Sequence, residues 1–350
     1  MANISFDNFK RNAMEYKKVI GILVFIFIFI IISYFISENY RIKNVINDMK
    51  IYNGFMEIVN TDFNDKDGES YKLADYYIAS SFRSVVGKYQ RYDYCSTKIL
   101  KKILREGARF IWLDVFNSDF SSNPMPVVGT GIGKGNWRLS LNTIPFEDCC
   151  KAIATTAFTS GKVNNYKDPL IIALNLNTQK NMYSLDKMKE YIIKHLGARL
   201  LSVHYGYSKI NMGEVLIQKL KEKIIIFTSE GFETSTLEEL VNYTWNKKDL
   251  KNIMYKSIDP NVKELEFIKE DTTALKDFNT KSLTIVTPDP DTIFSRQYEP
   301  KYAWNLGCQF VSMYYQNIDK LIQQNAEKFK TNSFILKPPL LRSTGYIAPN

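Results

Sequence analysis

Two strings in the last third of the chain decide the fold. They read WNLGCQFVSMYYQN at residues 304–317 and NSFILKPPLLR at residues 332–342. Within the first string, residues 309–314 form a short apolar run of the kind that builds a buried strand, and the apolar spacing of residues 318–328 indicates a helix with one face on a sheet. This part of the chain therefore predicts one strand followed by one helix.

The same alternation of short apolar runs and helical patterns extends toward the N-terminus, and it is typical of parallel strands joined by crossover helices. About 270 residues with some eight strands predict an α/β fold. A closed (β/α)8 barrel of the TIM type is favoured over an open doubly wound sheet. The candidate strands are residues 76–79, 110–115, 125–128, 170–174, 200–203, 224–227, 283–286 and 309–314, and the candidate helices are residues 96–105, 145–157, 185–196, 213–220 and 318–328.

The two C-terminal strings resemble the Y half of the catalytic barrel of eukaryotic phosphoinositide-specific phospholipase C. The resemblance covers residues 71–342 and implies a distorted (β/α) barrel, with an X-like half at about 71–229, a connecting segment at about 230–280, a Y-like half at about 281–342 and a tail at 343–350. Five upstream strings resemble the X half in the same order: YYIASS at 76–81, GARFIWLDVF at 107–116, PVVGTG at 126–131, AF at 157–158 and DPLIIALNLN at 168–177.

The family cleaves a phosphodiester with two histidines and a calcium ion, which is held by one Asn, two Glu and one Asp. The resemblance places Phe82 and Arg83 at the first His-Asn pair and Thr130 at the second histidine. Trp112 and Asn175 stand at the two glutamates, whereas Asp114 is retained. One carboxylate cannot hold a divalent cation securely, so we expect no calcium site beyond Asp114.

The positions that grip substrate phosphates in the family are also changed. They correspond to Phe227, Ser229, Ile285 and Thr287 in this chain. Loss of all these groups together predicts a barrel without phosphodiesterase activity. The two histidines do not restore it, because His195 lies within the helical string YIIKHLG and His204 is followed by Tyr205; a surface or core role is favoured for both.

Three functions remain open at this point. The first is a pseudoenzyme, a membrane-bound phospholipase C-like barrel that serves binding or scaffolding and needs no cofactor. The second is an active phosphodiester hydrolase with a rebuilt site, in which Asp114, Arg83, Asp289 and Asp291 supply the charges and Ca²⁺ is the cofactor. The third is a structural component of a membrane-bound assembly.

An uncharged run, VIGILVFIFIFIIISYFIS, begins at Val19 and ends at Ser37. At roughly 1.5 Å per helical residue it covers about 28 Å, close to the hydrocarbon thickness of about 30 Å. It favours a single-pass transmembrane helix at residues 19–37 over a secretory signal peptide, whose apolar core is usually about 7–15 residues.

Basic residues on both sides of this run slightly favour a cytoplasmic N-terminus. That orientation predicts a cytoplasmic tail at residues 1–18 and a barrel on the non-cytoplasmic side. Residues 38–70 are expected to form a polar stalk with one short helix at about 42–58. There Asn242, in the sequon Asn242-Tyr243-Thr244, is either glycosylated or part of an unmodified surface loop. The flanking basic residues are Lys10, Arg11, Lys17 and Lys18 before the run and Arg41, Lys43 and Lys50 after it.

The net charge of +9, from 46 basic and 37 acidic residues, is spread along the chain. It suits an anionic lipid surface and is too diffuse to indicate nucleic acid. The expected partners are the bilayer and either anionic lipid headgroups or other membrane or virion proteins. For the lysines at 101–102, 219–223 and 247–248, solvated helix ends are favoured over contact with anionic headgroups. The abundance of Ile, Asn, Lys and Tyr suggests an AT-rich genome, such as that of a protist or of a large DNA virus whose virion has an internal membrane.

Two further motifs carry little chemistry. Cys95, Cys149, Cys150 and Cys308 have no metal-ligand spacing, which argues against a zinc module and leaves their disulfide state open. The glycine-rich residues 129–135 match neither the Rossmann nor the Walker pattern, and they indicate a mobile loop rather than a phosphate site.

Overall fold

The computed structural model describes residues 2–54, 56–64, 71–131, 135, 137–244, 250–255, 272–289 and 296–343. The chain divides into two compact units, Met1–Asn44 and Val45–Asn350. Helix α1 (Ala2–Asp48) contains the run at 19–37. Among the described residues, Tyr16–Gly54 is the one helical stretch long and apolar enough to cross a bilayer, and its most apolar window is fully exposed. By length and composition, α1 is therefore a candidate membrane span.

A curled parallel sheet forms the second unit and confirms the barrel fold. Eight of its strands are neighbours in the order β7-β6-β5-β2-β1-β10-β9-β8, and each of these pairs is parallel. The strands are β1 (Tyr76–Ser81), β2 (Phe110–Asn117), β3 (Pro126–Gly129), β4 (Ile144–Pro145), β5 (Leu170–Asn177), β6 (Ile224–Thr228), β7 (Tyr243–Thr244), β8 (Leu250–Tyr255), β9 (Leu283–Pro288), β10 (Phe310–Met313) and β11 (Phe334–Leu336).

Helices cover the outside of this sheet. Their starts follow from capping: the Ser96 side chain accepts a hydrogen bond from Lys98 N, and the Asp319 carboxylate accepts from the amides of Leu321 and Ile322. The helices are α2 (Thr97–Arg105), α3 (Phe146–Ala154), α4 (Met182–Leu196), α5 (Thr272–Lys281), α6 (Pro300–Asn305) and α7 (Lys320–Lys328).

The strands β1, β2, β6, β9 and β10 are buried along their whole length, as expected of parallel strands under helices. Along β2, Ile111, Leu113 and Val115 join the core between sheet and helices. Phe110 and Trp112 join the core inside the barrel. Because side chains alternate along a strand, Asp114 shares the interior face with these two aromatic residues, at the carboxyl end of β2.

Three sequence predictions of secondary structure need correction. The strand predicted at 125–128 forms as β3, but it pairs antiparallel with β2 and lies outside the parallel series. The strand predicted at 200–203 reduces to a single bridge between Leu200 and Ile224, followed by a 3-10 turn at Val203–Tyr205. Two 3-10 turns, Met212–Glu214 and Ile217–Leu220, replace the single helix predicted at 213–220, because the backbone of Val215 and Ile217 bonds to residues 71–73 between them.

The expected stalk at 38–70 is corrected over most of its length, since the described residues from Val45 onward belong to the barrel unit. Met49 and Tyr52 are buried, and Tyr52 Oη donates a hydrogen bond to Tyr315 O at 2.9 Å. Thr61 donates from its amide and its hydroxyl to the two carboxylate oxygens of Asp168. Buried side chains and side-chain hydrogen bonds thus hold this segment against the barrel.

Candidate functional site

The residues singled out at the family's catalytic positions converge at the carboxyl ends of three neighbouring strands. Phe82 and Arg83 directly follow β1, and Trp112 lies on β2 two residues before Asp114. In the β2–β5 ladder, Asp114 is the register partner of Asn175. Because carboxyl ends of parallel strands meet at one end of a barrel, these five residues form one cluster, here called the Asp114 cluster.

Hydrogen-bond donors of the protein itself surround the Asp114 carboxylate. Its Oδ2 accepts from Arg83 Nε at 2.8 Å. Its Oδ1 accepts from Trp112 Nε1 at 2.8 Å and from Asn175 Nδ2 at 2.9 Å. The Arg83 and Asp114 side chains are only 4% and 3% exposed. The retained carboxylate is therefore buried, with a guanidinium as its counter-ion.

An unusual backbone conformation accompanies this ion pair. Arg83 has a φ of 46°, in the left-handed region that residues other than glycine seldom adopt. Gln316 Nε2 donates to Arg83 O at 3.2 Å, and the guanidinium carbon lies 5.3 Å from the centroid of the Phe82 ring. Such strained residues concentrate at functional positions of a fold.

These residues do not fit the calcium ion that the family resemblance implies. Calcium takes six to eight oxygen ligands, several from carboxylates. Here Arg83 and Trp112 present N–H donors to the only carboxylate of the cluster. Among the described residues, no three His, Cys, Asp or Glu side chains are grouped as metal ligands.

Aromatic rings fill the barrel beside the Asp114 cluster. The Phe82 ring is buried, with its centroid 5.3 Å from that of Trp112 and 5.5 Å from that of Tyr314. Burial raises the pKa of Tyr314 to about 12, so its phenol stays neutral at physiological pH. Deeper in the barrel, Phe310 packs against Phe110 at 4.8 Å and against Phe227 at 5.6 Å. The barrel interior is thus packed with rings up to the level of Phe82.

The remaining family positions carry no charge into the barrel. Thr130 is buried, and its hydroxyl donates to Gln90 O at 3.1 Å. Phe227, Ile285 and Thr287 are buried within the sheet. The Ser229 hydroxyl accepts a hydrogen bond from the amide of Leu176 at 2.7 Å, which ties the ends of β5 and β6 together.

Both histidines lie away from the Asp114 cluster. His195 is on α4, where its Nε2 lies 2.9 Å from Glu147 Oε1 on α3. The hydrogen bonds from His195 and Lys194 lower the pKa of Glu147 to about 2. His204 is exposed in the turn Val203–Tyr205. A structural role for His195 and a surface position for His204 agree with the sequence prediction.

The structure describes some of the other residues that the sequence singled out, namely Asp289 and the four cysteines. Asp289 follows β9, and its charge acts on Tyr314 at the same end of the sheet. Asp291, residues 132–134 of the glycine-rich stretch and the lysines at 247–248 lie outside the described residues. All four cysteines are buried thiols rather than disulfides, and burial raises the pKa of Cys95 to about 12.

The glycosylation option for Asn242 is corrected by its surroundings. The side chain is 5% exposed. Its Oδ1 accepts from Ile226 N at 2.8 Å, and its Nδ2 donates to Tyr205 O at 3.1 Å. Both ends of the amide are used inside the fold, because the sequon forms β7 rather than a surface loop.

Sequence reasoning missed a pair of exposed aromatic residues beyond the end of β2. Phe120 and Trp137 are 75% and 72% exposed, with ring centroids 6.5 Å apart. Phe120 lies in the loop between β2 and β3, and Trp137 follows β3. The signal available in the sequence was that each of these two aromatic residues stands alone in a stretch rich in Gly, Ser and Asn.

Comparison with known proteins agrees with this geometry. The models for the X domain and the Y domain of phosphatidylinositol-specific phospholipase C match residues 69–230 and 233–340, and the second match includes the expected connecting segment. The 1-phosphatidylinositol 4,5-bisphosphate phosphodiesterase delta-3-A of Danio rerio is 23% identical over 318 residues, which cover 77% of this chain and 38% of that protein.

Solved structures show the same fold. The crystal structure of PLC21 from S. officinalis gives a TM-score of 0.64 at 20% identity, covering 79% of this chain and 39% of that one. PLC21 from L. pealei gives 0.62 at 21% identity, with 79% and 38% covered. This chain thus spans about two-fifths of these relatives. With both domains matched in order on a parallel-stranded barrel, the chain belongs to the phosphatidylinositol-specific phospholipase C family.

Proposed function

We propose that this chain is a membrane-anchored phospholipase C-like barrel that has lost phosphodiesterase activity and acts as a binding module at a lipid surface. The observation that carries the proposal is the engagement of Asp114 by Arg83, Trp112 and Asn175. A guanidinium stands against the one retained carboxylate, where a catalytic barrel of this family needs a cation with open coordination positions.

Proton transfer lacks suitable groups as well. Cleavage of a phosphodiester by an internal hydroxyl requires a general base and a general acid, with pKa values near the working pH. Phe82 has no proton to exchange, and the hydroxyl of Thr130 is already bonded to Gln90 O. The nearby phenol of Tyr314 is buried, and its raised pKa keeps it protonated, so it is neither available as a base nor a ready proton donor.

Access to the barrel interior is also restricted. The Phe82 ring contacts the rings of Trp112 and Tyr314 beside the Asp114 cluster. An inositol phosphate headgroup would have to displace this packing and the buried ion pair together. Binding at the outer rim of the barrel requires no such displacement.

Two features support a lipid surface as the partner. The run from Val19 to Ser37 anchors the chain in this proposal, with residues 1–18 on the cytoplasmic side and the barrel on the other. Phe120 and Trp137 project as an exposed aromatic pair. Tryptophan favours the boundary between headgroups and hydrocarbon, since its ring is apolar and its N–H is polar.

The activity test uses the full chain in neutral detergent micelles that contain phosphatidylinositol 4,5-bisphosphate and calcium. We expect no release of soluble inositol phosphate above the protein-free blank, while an active calcium-dependent phospholipase C in the same micelles gives the positive control. Calcium-dependent release that disappears in Asp114→Asn would instead establish the rebuilt-site hydrolase.

The surface test places the full chain in bilayer discs containing lipids brominated near the headgroup. Bromine quenches tryptophan on contact, so we expect quenching that decreases in Trp137→Phe. Trp112→Phe is the matched control, since Trp112 is buried and only 4% exposed. Equal quenching in the wild type and in Trp137→Phe would exclude contact of this rim with lipid.

A further inference from the structure

A cleft lies at the end of β1 opposite to the Asp114 cluster. Tyr77, near the amino end of β1, lines it together with Trp304 of α6 and Lys328 of α7, and its volume is about 720 Å³. Small-molecule sites in proteins usually have about 300–1,000 Å³. This Trp304 cleft is therefore large enough for an organic ligand rather than a simple ion.

Positive charge dominates the lining of the Trp304 cleft. Lys301, Lys328 and Arg342 contribute to its walls, Lys337 is buried at its base, and Glu327 is the carboxylate among the lining residues. The excess of cations favours an anionic ligand. A dianion matches several cations better than a single carboxylate does.

The ammonium group of Lys328 is held against aromatic faces. Its Nζ lies 4.0 Å from the centroid of Tyr77 and 4.7 Å from that of Trp304. Burial lowers the pKa of Lys328 to about 8. The Tyr77 hydroxyl donates to Trp304 O at 2.6 Å, which fixes the two rings relative to each other. The cation is thus positioned by the fold before any ligand arrives.

A buried donor without an acceptor lies beside this cation. Trp304 is only 6% exposed, and within the described residues its Nε1 has no hydrogen-bond partner. Buried polar groups in folded proteins nearly always have a partner, so such a donor is a sign of a missing acceptor. The acceptor has to suit both an indole N–H and an ammonium group.

We propose that the Trp304 cleft binds a phosphate monoester, with Trp304 Nε1 and Lys328 Nζ as its direct ligands and Lys301 and Arg342 at the rim. Phosphate oxygens accept from both donor types, and a second negative charge matches the remaining cations. The phosphate belongs either to a soluble organic molecule or to a lipid headgroup. The site is separate from the Asp114 cluster and does not depend on the proposed loss of activity.

Titration calorimetry of the full chain in neutral detergent micelles tests the site. The probes are inorganic phosphate, glycerol 3-phosphate and short-chain dihexanoyl phosphatidic acid. We expect Lys328→Gln and Trp304→Phe each to weaken binding of glycerol 3-phosphate about tenfold, as loss of one charge-assisted hydrogen bond predicts. Lys320→Gln is the matched control, because it removes the same charge from an exposed position of the same helix.

The probes also separate the two sources of the phosphate. Phosphatidic acid binding about tenfold tighter than glycerol 3-phosphate indicates a lipid headgroup, and equal affinities indicate a soluble ligand. The proposal is overturned if none of the probes binds at up to about 10 mM. It is also overturned if Lys320→Gln weakens binding as much as Lys328→Gln, or if Trp304→Phe binds like the wild type. Lys301→Gln, at an exposed residue, replaces Lys328→Gln in this comparison if the latter variant does not fold.

Discussion

Arg83→Met tests whether Asp114 is neutralised from inside the protein. The two side chains are 4% and 3% exposed and meet at 2.8 Å. Removing one partner of a buried ion pair costs about 3–5 kcal/mol, since the other charge remains buried. Asp114 keeps its hydrogen bonds from Trp112 and Asn175, so we expect the lower end of this range, about 3 kcal/mol, in the free energy of unfolding.

Urea unfolding of the full chain in neutral micelles, followed by near-ultraviolet circular dichroism, measures this loss through the aromatic packing of the barrel. The double variant Arg83→Met/Asp114→Asn should recover at least part of it, because no unpaired charge is left. Arg199→Met is the control: its pair with Glu222 is 2.7 Å long but 37% and 44% exposed, so it should cost about 1 kcal/mol or less. Equal losses in Arg83→Met and Arg199→Met would refute a buried counter-charge.

Three further outcomes are expected. Burial lowers the pKa of Lys337 to about 7, against about 10.4 in an unfolded chain. Between these two pH values the unfolded state binds more protons, so the free energy of unfolding rises with pH by at most about 1.4 kcal/mol per pH unit. Urea unfolding at successive pH values should show this slope in the wild type and not in Lys337→Met. Asn242→Ala should cost about 2–3 kcal/mol in the same assay, because two buried hydrogen bonds are lost, whereas a surface asparagine would cost almost nothing. The triple variant Arg83→Asn/Trp112→Glu/Asn175→Glu keeps Asp114 and should bind calcium with a Kd of about 10⁻⁵–10⁻³ M, measured by calorimetry. The absence of binding heat at these calcium concentrations would contradict the assignment of these positions to the family's metal ligands.

Periodicity was sufficient for most of the barrel because its strands are buried on both faces and appear as continuous apolar runs. It failed where pairing, rather than burial, defines the element. β7 is two residues long, and β8 (Leu250–Tyr255) mixes polar and apolar residues, so neither run stands out. Residues 213–220 have helical spacing, yet their backbone bonds to residues 71–73. Such long-range pairing leaves no local trace.

The location of the Asp114 cluster was predictable, but its chemistry was not. Motif order places Phe82, Arg83, Trp112, Asp114 and Asn175 at strand ends, and strand ends of a parallel barrel meet. The direction of the Arg83 side chain depends on a positive φ, which no sequence pattern around it announces. A basic residue after a strand is normally expected to point into solvent. Here the Arg83 side chain is buried against Asp114, the carboxylate that corresponds to a calcium ligand in the family resemblance.

The charge of the Asp114 cluster is balanced within the protein, by the guanidinium of Arg83 against the carboxylate of Asp114. The resemblance implies three carboxylates at these positions in the family, and that set is stable only with a divalent cation among them. Replacement of two by Trp112 and Asn175 leaves one negative charge, and Arg83 brings that remainder to zero. In the absence of a cation, any one of these changes alone would leave two buried negative charges unbalanced. In the proposed function these three residues therefore compensate one another, because the groups that balance the buried Asp114 carboxylate also present N–H donors where calcium would need oxygen ligands.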